Sequence, residues 1–248
     1  MGLKLISPGS LAPWYTKVIP PVTRSLEGWF CFDTALERIG FNRAPGKGNA
    51  KLVGIPTVFA THARFKGGSN YLETLIAETD QFTVLVVGKV PAALGGTGTP
   101  TAAPYVGNYA GQSNSSLGNG GMCIYHQTDT SLGGQAWRLN AEGTGTTSSQ
   151  ATMTDVPTSW ALRALRSSGA AGTKVMNLTT GVSSNQSLAT QRVTSSSPLR
   201  IGGVYGTTFL GETDISHVAI YSAALTDDEI AQVAAVMKKR MARLGIAV

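Results

Sequence analysis

The residues with the clearest chemical potential are Glu212, Asp214 and His217. Two carboxylates placed on either side of a glycosidic bond can serve as nucleophile and acid/base, and the strand pattern E-x-D-x-x-E is one way to supply them. Here Glu212-Thr213-Asp214-Ile215-Ser216-His217 provides the first two carboxylates and a histidine at the third position. On a strand without a bulge, Glu212 and Asp214 face one side and His217 the other. An exposed carboxylate pair at a sheet edge explains these residues better than a hydrolytic site. Other reaction signatures are incomplete. Gly111-Gln112-Ser113-Asn114-Ser115 lacks the closing glycine of a nucleophile elbow. Gly40 and Gly46-Lys47 are one residue too far apart for a phosphate-binding loop, and Gly48 replaces its hydroxyl residue. His62, His126 and His217 have no partners at metal-ligand spacing and read as ordinary sheet or surface residues.

A different chemistry is suggested by Tyr105, Asn108, Tyr109, Gln112 and Asn114. Sugar recognition sets an aromatic face against a pyranose ring with amides beside it. The run from Tyr105 to Asn114 offers both on what reads as a flexible, glycine-punctuated loop, and Trp137 and Tyr205 are further aromatic candidates. The competing reading buries Tyr109 and Trp137 in the core.

The elements that would position these residues follow from composition. The chain has 248 residues, of which 42% are hydrophobic, only 14% are charged and 30 are glycine. That balance suits many short strands joined by small-residue turns, and the length suits one large sandwich. The net charge of +6 is scattered. Its one dense group, Lys238, Lys239, Arg240 and Arg243, closes a helix, where cations complement the dipole. Without a basic stripe interleaved with aromatics, nucleic-acid binding is not expected. Cys31 and Cys123 each sit in an apolar run as buried thiols, and pairing between them is not required. No stretch approaches a membrane span, and residues 1–8 lack the apolar region of an export signal, so folding in a cytoplasm is expected.

Along the chain, Pro8, Pro13, Pro20 and Pro21 make residues 1–27 an extended arm. With Trp14 and Tyr15 it either crosses a neighbouring surface or folds back as an edge strand. Strands are expected at Trp29–Phe32, Val58–Phe65, Phe82–Val87, Met122–His126, Ala136–Asn140, Trp160–Ser167, Lys174–Leu178, Leu199–Ile201 and Ile215–Tyr221. Gly95–Pro100 is a low-complexity loop. One helix is predicted over 226–245: Thr226 and Glu229 form a capping box, and Ile230, Val233, Met237, Met241 and Leu244 form one apolar stripe.

Three segments, in this order, resemble the concanavalin A-like lectin/laminin-G superfamily. They are Gly28–Asp33; Ala63–Leu72 followed by Gln81–Val84; and Pro198–Gly203 continuing through Gly211–Tyr221 to Ala224–Ile230. The resemblance covers about residues 28–245. It implies an all-β, two-sheet antiparallel jelly-roll sandwich over 28–225, preceded by the arm at 1–27 and closed by a helix over 226–245. No metal or other cofactor is expected; members of the superfamily often hold calcium with loop Asp or Asn and carbonyl oxygens, and Asp33, Asn49 and Asn70 are the loop-end candidates for it. The ending Met237–Ile246 is similar to structural proteins of tailed bacteriophages. The expectation that follows is a non-enzymatic virion component, decorating a capsid or forming part of a tail or fibre. Such a component would be assembled in the bacterial cytoplasm as a homo-oligomer among other virion proteins and would touch host-surface glycans. The alternatives are a carbohydrate-binding module or lectin outside a virion and, third, a glycoside hydrolase.

Overall fold

A computed structural model describes residues 20–95, 101–169 and 171–248. Residues 1–19 of the expected arm, with Trp14 and Tyr15, lie outside the described residues, as do residues 96–100 of the low-complexity loop.

The element order is β1 (Leu26–Cys31), a 3-10 turn (Leu36–Arg38), β2 (Lys51–Val53), β3 (Thr57–Val58), β4 (Ala63–Lys66), β5 (Tyr71–Glu73), β6 (Phe82–Lys89), β7 (Ala103–Gly107), β8 (Met122–Thr128), β9 (Ser131–Leu139), β10 (Thr146–Thr154), β11 (Ala161–Ser168), β12 (Gly172–Asn177), β13 (Val182–Gln186), β14 (Arg200–Ile201), β15 (Glu212–Tyr221) and α1 (Asp227–Arg243). One sheet runs β13-β12-β11-β6-β15-β4-β3 and the other β10-β9-β8-β7-β14-β5-β2. Strand β15 is long enough to carry two neighbours on one side: Glu212–Ile215 pairs with β4, and His217–Tyr221 pairs with β1. Every pairing is antiparallel, which makes the molecule an all-β sandwich with one terminal helix.

The main core lies between the sheets, where Phe30, Val84, Val86 and Val218 meet Met122, Ile124 and Leu132. The larger sheet is covered on its other face too. Leu85 and Val87 point outward with Trp29, Leu162, Ala219 and Tyr221, and the helix stripe Ile230, Val233, Met237 and Met241 lies on them. Burial on both faces is why β6 reads as an unbroken apolar run instead of an alternating one. Each large side chain of the stripe contributes about 1.5–3 kcal/mol. The capping box forms as expected, with Thr226 Oγ1 accepting from the Glu229 amide at 3.2 Å. The basic cluster does more than oppose a dipole: Lys238 donates to the Leu178 carbonyl at 2.8 Å and Arg240 pairs with Asp33 at 2.5 Å. Both thiols are free; Cys31 belongs to the layer beneath the helix and Cys123 to a small cluster on the outer face of the opposite sheet. Among the described residues no helix is long and apolar enough to cross a membrane.

Several expected elements change. Val58–Phe65 is a tight hairpin of β3 and β4, closed by Phe59 N–H to the His62 carbonyl at 2.8 Å, so it is not a single strand. Strand β1 begins at Leu26, within the expected arm. Strands β2, β5, β7, β10 and β13 are additional to the expected ones, and β7, Ala-Pro-Tyr-Val-Gly, is a fully buried strand where a flexible loop was expected. Strand β10, Thr-Thr-Ser-Ser-Gln-Ala-Thr-Met-Thr, is held by nine register pairs with β9 and buries only Ser149, Ala151 and Met153.

Candidate functional site

Strand alternation divides β8, β9 and β10 into two faces. Met122, Ile124, Leu132, Ala136, Ala151 and Met153 enter the core. The opposite positions build an outer face around Trp137, Gln135, Tyr125, Gln127, Ser148 and Gln150, since register places Trp137 beside Ser148 and Gln135 beside Gln150. Gln150 Nε2 donates to the Tyr125 hydroxyl at 2.9 Å and to Gln127 Oε1 at 3.3 Å; Ser148 Oγ donates to Gln135 Oε1 at 3.4 Å. Burial raises the Tyr125 phenol well above its ordinary pKa, so it is a neutral hydroxyl here.

A loop aromatic completes the face. Tyr109 lies nearly parallel to Trp137, with ring centroids 6.5 Å apart, and Phe209 meets Tyr109 and Tyr125 edge-on at 5.1 and 4.6 Å. Two donors on this face, Gln135 Nε2 and Trp137 Nε1, have no hydrogen-bond partner among the described residues, although Gln135 is only 5% exposed. Buried polar groups are normally paired, so such donors call for an explanation. Backbone strain collects here as well. Among the described residues three that are not glycine have positive φ, and two of them are Ala110, next to Tyr109, and Phe209, both at 57°. A bulky residue in that region is uncommon and persists where the surroundings force it.

A buried polar scaffold fixes the backbone behind the face. Glu78 pairs with Arg192 and accepts from Asn108 Nδ2 at 3.0 Å and the Ser195 amide at 2.8 Å. Arg192 donates to the Trp137 carbonyl, and Asn108 Oδ1 accepts from the Met122 amide at 2.9 Å. Burial pushes the Glu78 carboxyl upward and the Arg192 guanidinium downward.

The sequence-predicted residues are therefore redistributed. Tyr109 is on the face, and Trp137 joins it. Tyr105 and Asn108 are corrected: both are fully buried and unable to meet a ligand. Tyr105 is in β7, where its hydroxyl lies 2.9 Å from His126 Nδ1, and Asn108 is a positioning residue. Gln112 and Asn114 are exposed. Asn114 Nδ2 donates to Thr194 Oγ1 at 2.9 Å and borders a 550 Å³ cleft lined also by Leu139, two residues along β9 from Trp137. Tyr205 packs under the Arg200 guanidinium, 3.5 Å from its ring centroid, and joins Tyr109 only through a backbone hydrogen bond.

The remaining candidates have structural partners. Asp33 pairs with Arg240, Asn49 Oδ1 accepts from the Asn42 amide at 3.0 Å, and Asn70 Oδ1 accepts from the Lys66 amide at 2.7 Å within the turn from β4 to β5. These three side chains are committed to different tasks, which does not fit a shared calcium site. Among the described residues no group of three His, Cys, Asp or Glu side chains converges on one point. Asp214 is not exposed as expected. It is buried against Arg64 at 2.7 and 3.1 Å, while Glu212 faces Lys66 at 3.6 Å. His217 is fully buried, edge-on to Trp29 at 4.7 Å, on a strand that does carry a bulge between Ile215 and His217.

No protein-family profile matches the sequence, and no characterised protein matches it at the sequence level. Solved structures do match. A Trypanosoma rangeli sialidase in complex with the inhibitor DANA is 12% identical with a TM-score of 0.62, covering 94% of this chain and 35% of the sialidase. The same organism's sialidase in complex with sialic acid gives 13% and 0.59, with coverage of 90% and 34%. The binding domain of botulinum neurotoxin DC in complex with SialylT gives 7% and 0.59, with coverage of 86% and 52%. The chain thus spans about a third of the sialidases and about half of the toxin domain. The expectation of a non-enzymatic protein is corrected by these matches, because sialidases stand among them and the fold therefore gives no ground for excluding catalysis. Neither the sialidase nor the toxin-domain matches concern a bacteriophage. Identity this low conveys architecture alone, and on that ground the chain shares the two-sheet β-sandwich fold of these structures.

Proposed function

We propose that this domain binds carbohydrate on the outer face of β8, β9 and β10. One observation carries the reading: the Tyr109 and Trp137 rings lie nearly parallel on a strand face whose part-exposed side chains include Gln127, Ser148 and Gln150. A pyranose ring offers C–H groups to an aromatic face and hydroxyl groups to the amide and hydroxyl side chains beside it, so it fits both kinds of surface together. The matched sialidase with sialic acid and the matched toxin domain with SialylT are also saccharide complexes, which supports the reading by analogy.

The test is a glycan array followed by titration with the full chain. Trp137→Ala is expected to weaken binding by about 2 kcal/mol, roughly thirtyfold, with the far-ultraviolet spectrum unchanged. Binding that survives this substitution, or no glycan bound at all, defeats the proposal. Display on a virus particle, with other copies and other virion proteins as partners, is supported only by the resemblance of residues 237–246. Mass spectrometry of purified particles tests it.

A further inference from the structure

We infer that the saccharide taken by this face is neutral, and that sialylated or otherwise acidic glycans are discriminated against. This rests on the carbohydrate-binding reading above and specifies its substrate class.

The observation is an absence of charge across the outward positions of three adjoining strands. None of the outward positions of β8, β9 and β10 is Asp, Glu, Lys or Arg; they hold Tyr, Trp, Gln, Ser, Thr, Cys, Gly and Leu. Tyr125 and Gln135 among them are buried, but Trp137, Ser148, Gln150 and Thr152 reach solvent, and strand positions open to solvent are where charged side chains normally collect. The one cation on these strands, Arg138, is directed inward, where it donates to Ser167 Oγ at 2.9 Å and to the carbonyls of Ser168 and Gly172 at 2.7 and 3.3 Å. Arg192, a buried cation behind the face, is committed to Glu78 and the Trp137 carbonyl.

A carboxylate seated against Trp137, Ser148 and Gln150 would lose water without meeting a cation. Amide and hydroxyl groups can hydrogen-bond it but supply no net charge, and a desolvated ion without a counter-ion is strongly disfavoured. A hydroxyl incurs no such penalty. The same amides that accept from and donate to hydroxyl groups therefore select against an acid. The preference is opposite to that suggested by the ligands named with the matched structures, so it separates this chain's own chemistry from its fold.

The experiment titrates the full chain with a neutral oligosaccharide that binds on the array and with its sialylated counterpart, at low and high salt. The expected result is binding of the neutral glycan that is insensitive to salt and at least about tenfold weaker binding of the sialylated one. Gln127→Lys, which places a cation at the rim, is expected to narrow that gap. Equal or tighter binding of the sialylated glycan overturns the inference while leaving the carbohydrate-binding reading intact. Failure to bind any glycan overturns both.

Discussion

The hydroxyl of Tyr105 lies 2.9 Å from Nδ1 of His126 inside the sandwich, where both side chains are 0% exposed. His126 Nε2 lies 3.3 Å from Asp155, and Asp155 is held by Arg163 at 2.5 Å and by Asn177 at 2.9 Å. A residue whose type suggested sugar binding thus anchors a buried polar chain that ties β7 and β8 to β11 and β12.

Burial lowers the His126 pKa to about 4, with Asp155 opposing that shift. The folded state therefore holds it neutral, while the unfolded chain protonates it near the usual value of about 6.5. The stability this provides is complete above that value and is lost as pH falls from about 6.5 through 4, on the order of 3 kcal/mol in all. His217, lowered by complete burial, adds in the same direction. Urea midpoints measured across this window should fall with pH, and His126→Gln should flatten the slope. A slope identical to wild type would show that His126 is not its source.

Removing one partner of the buried Asp155–Arg163 pair strands the other. Asp155→Ala is expected to cost about 3–5 kcal/mol in equilibrium unfolding. A loss below about 1 kcal/mol would mean that water or a neighbouring group replaces the carboxylate at no cost.

Tyr105 and Tyr109 should separate cleanly. Tyr105→Ala opens a core cavity and is expected to destabilise the domain by about 3–5 kcal/mol. Tyr109→Ala, at a half-buried loop position, should leave the melting temperature within a few degrees and reduce glycan binding instead. Normal binding by the Tyr109 variant would remove that ring from the site.

The helix offers graded tests. Thr226→Ala should cost about 1 kcal/mol through the lost cap, whereas Met237→Ala, fully buried on the sheet, should cost about 2–5 kcal/mol. Chelation by EDTA is expected to leave both melting and glycan binding unchanged, because Asp33, Asn49 and Asn70 are already satisfied within the protein. A fall in melting temperature on chelation would restore a cation site.

What could be read from the chain was whatever depends on neighbours in sequence. The apolar run of β6, the Thr226–Glu229 box and the stripe from Ile230 to Met241 are local patterns that specified a buried strand and a terminal helix, while the sandwich followed from the order of three segments that resemble a known superfamily. Strand β10 was illegible because its Ser, Thr and Gln residues are held by pairing with β9, and pairing leaves no mark in a single segment. The site was half legible for the same reason. Ring and amide types at Tyr109 and Trp137 were visible, but only the register between β8, β9 and β10 brings Gln135, Ser148 and Gln150 together.

Residue types thus determined the layers and the kinds of chemistry available. Tertiary structure alone decided which of two tyrosines four residues apart, Tyr105 or Tyr109, faces the core and which the surface. The reason is physical: in a strand the side-chain direction alternates at every step, so a bulge such as that between Pro104 and Val106 reassigns the residues beyond it. No property of the individual residue records that displacement.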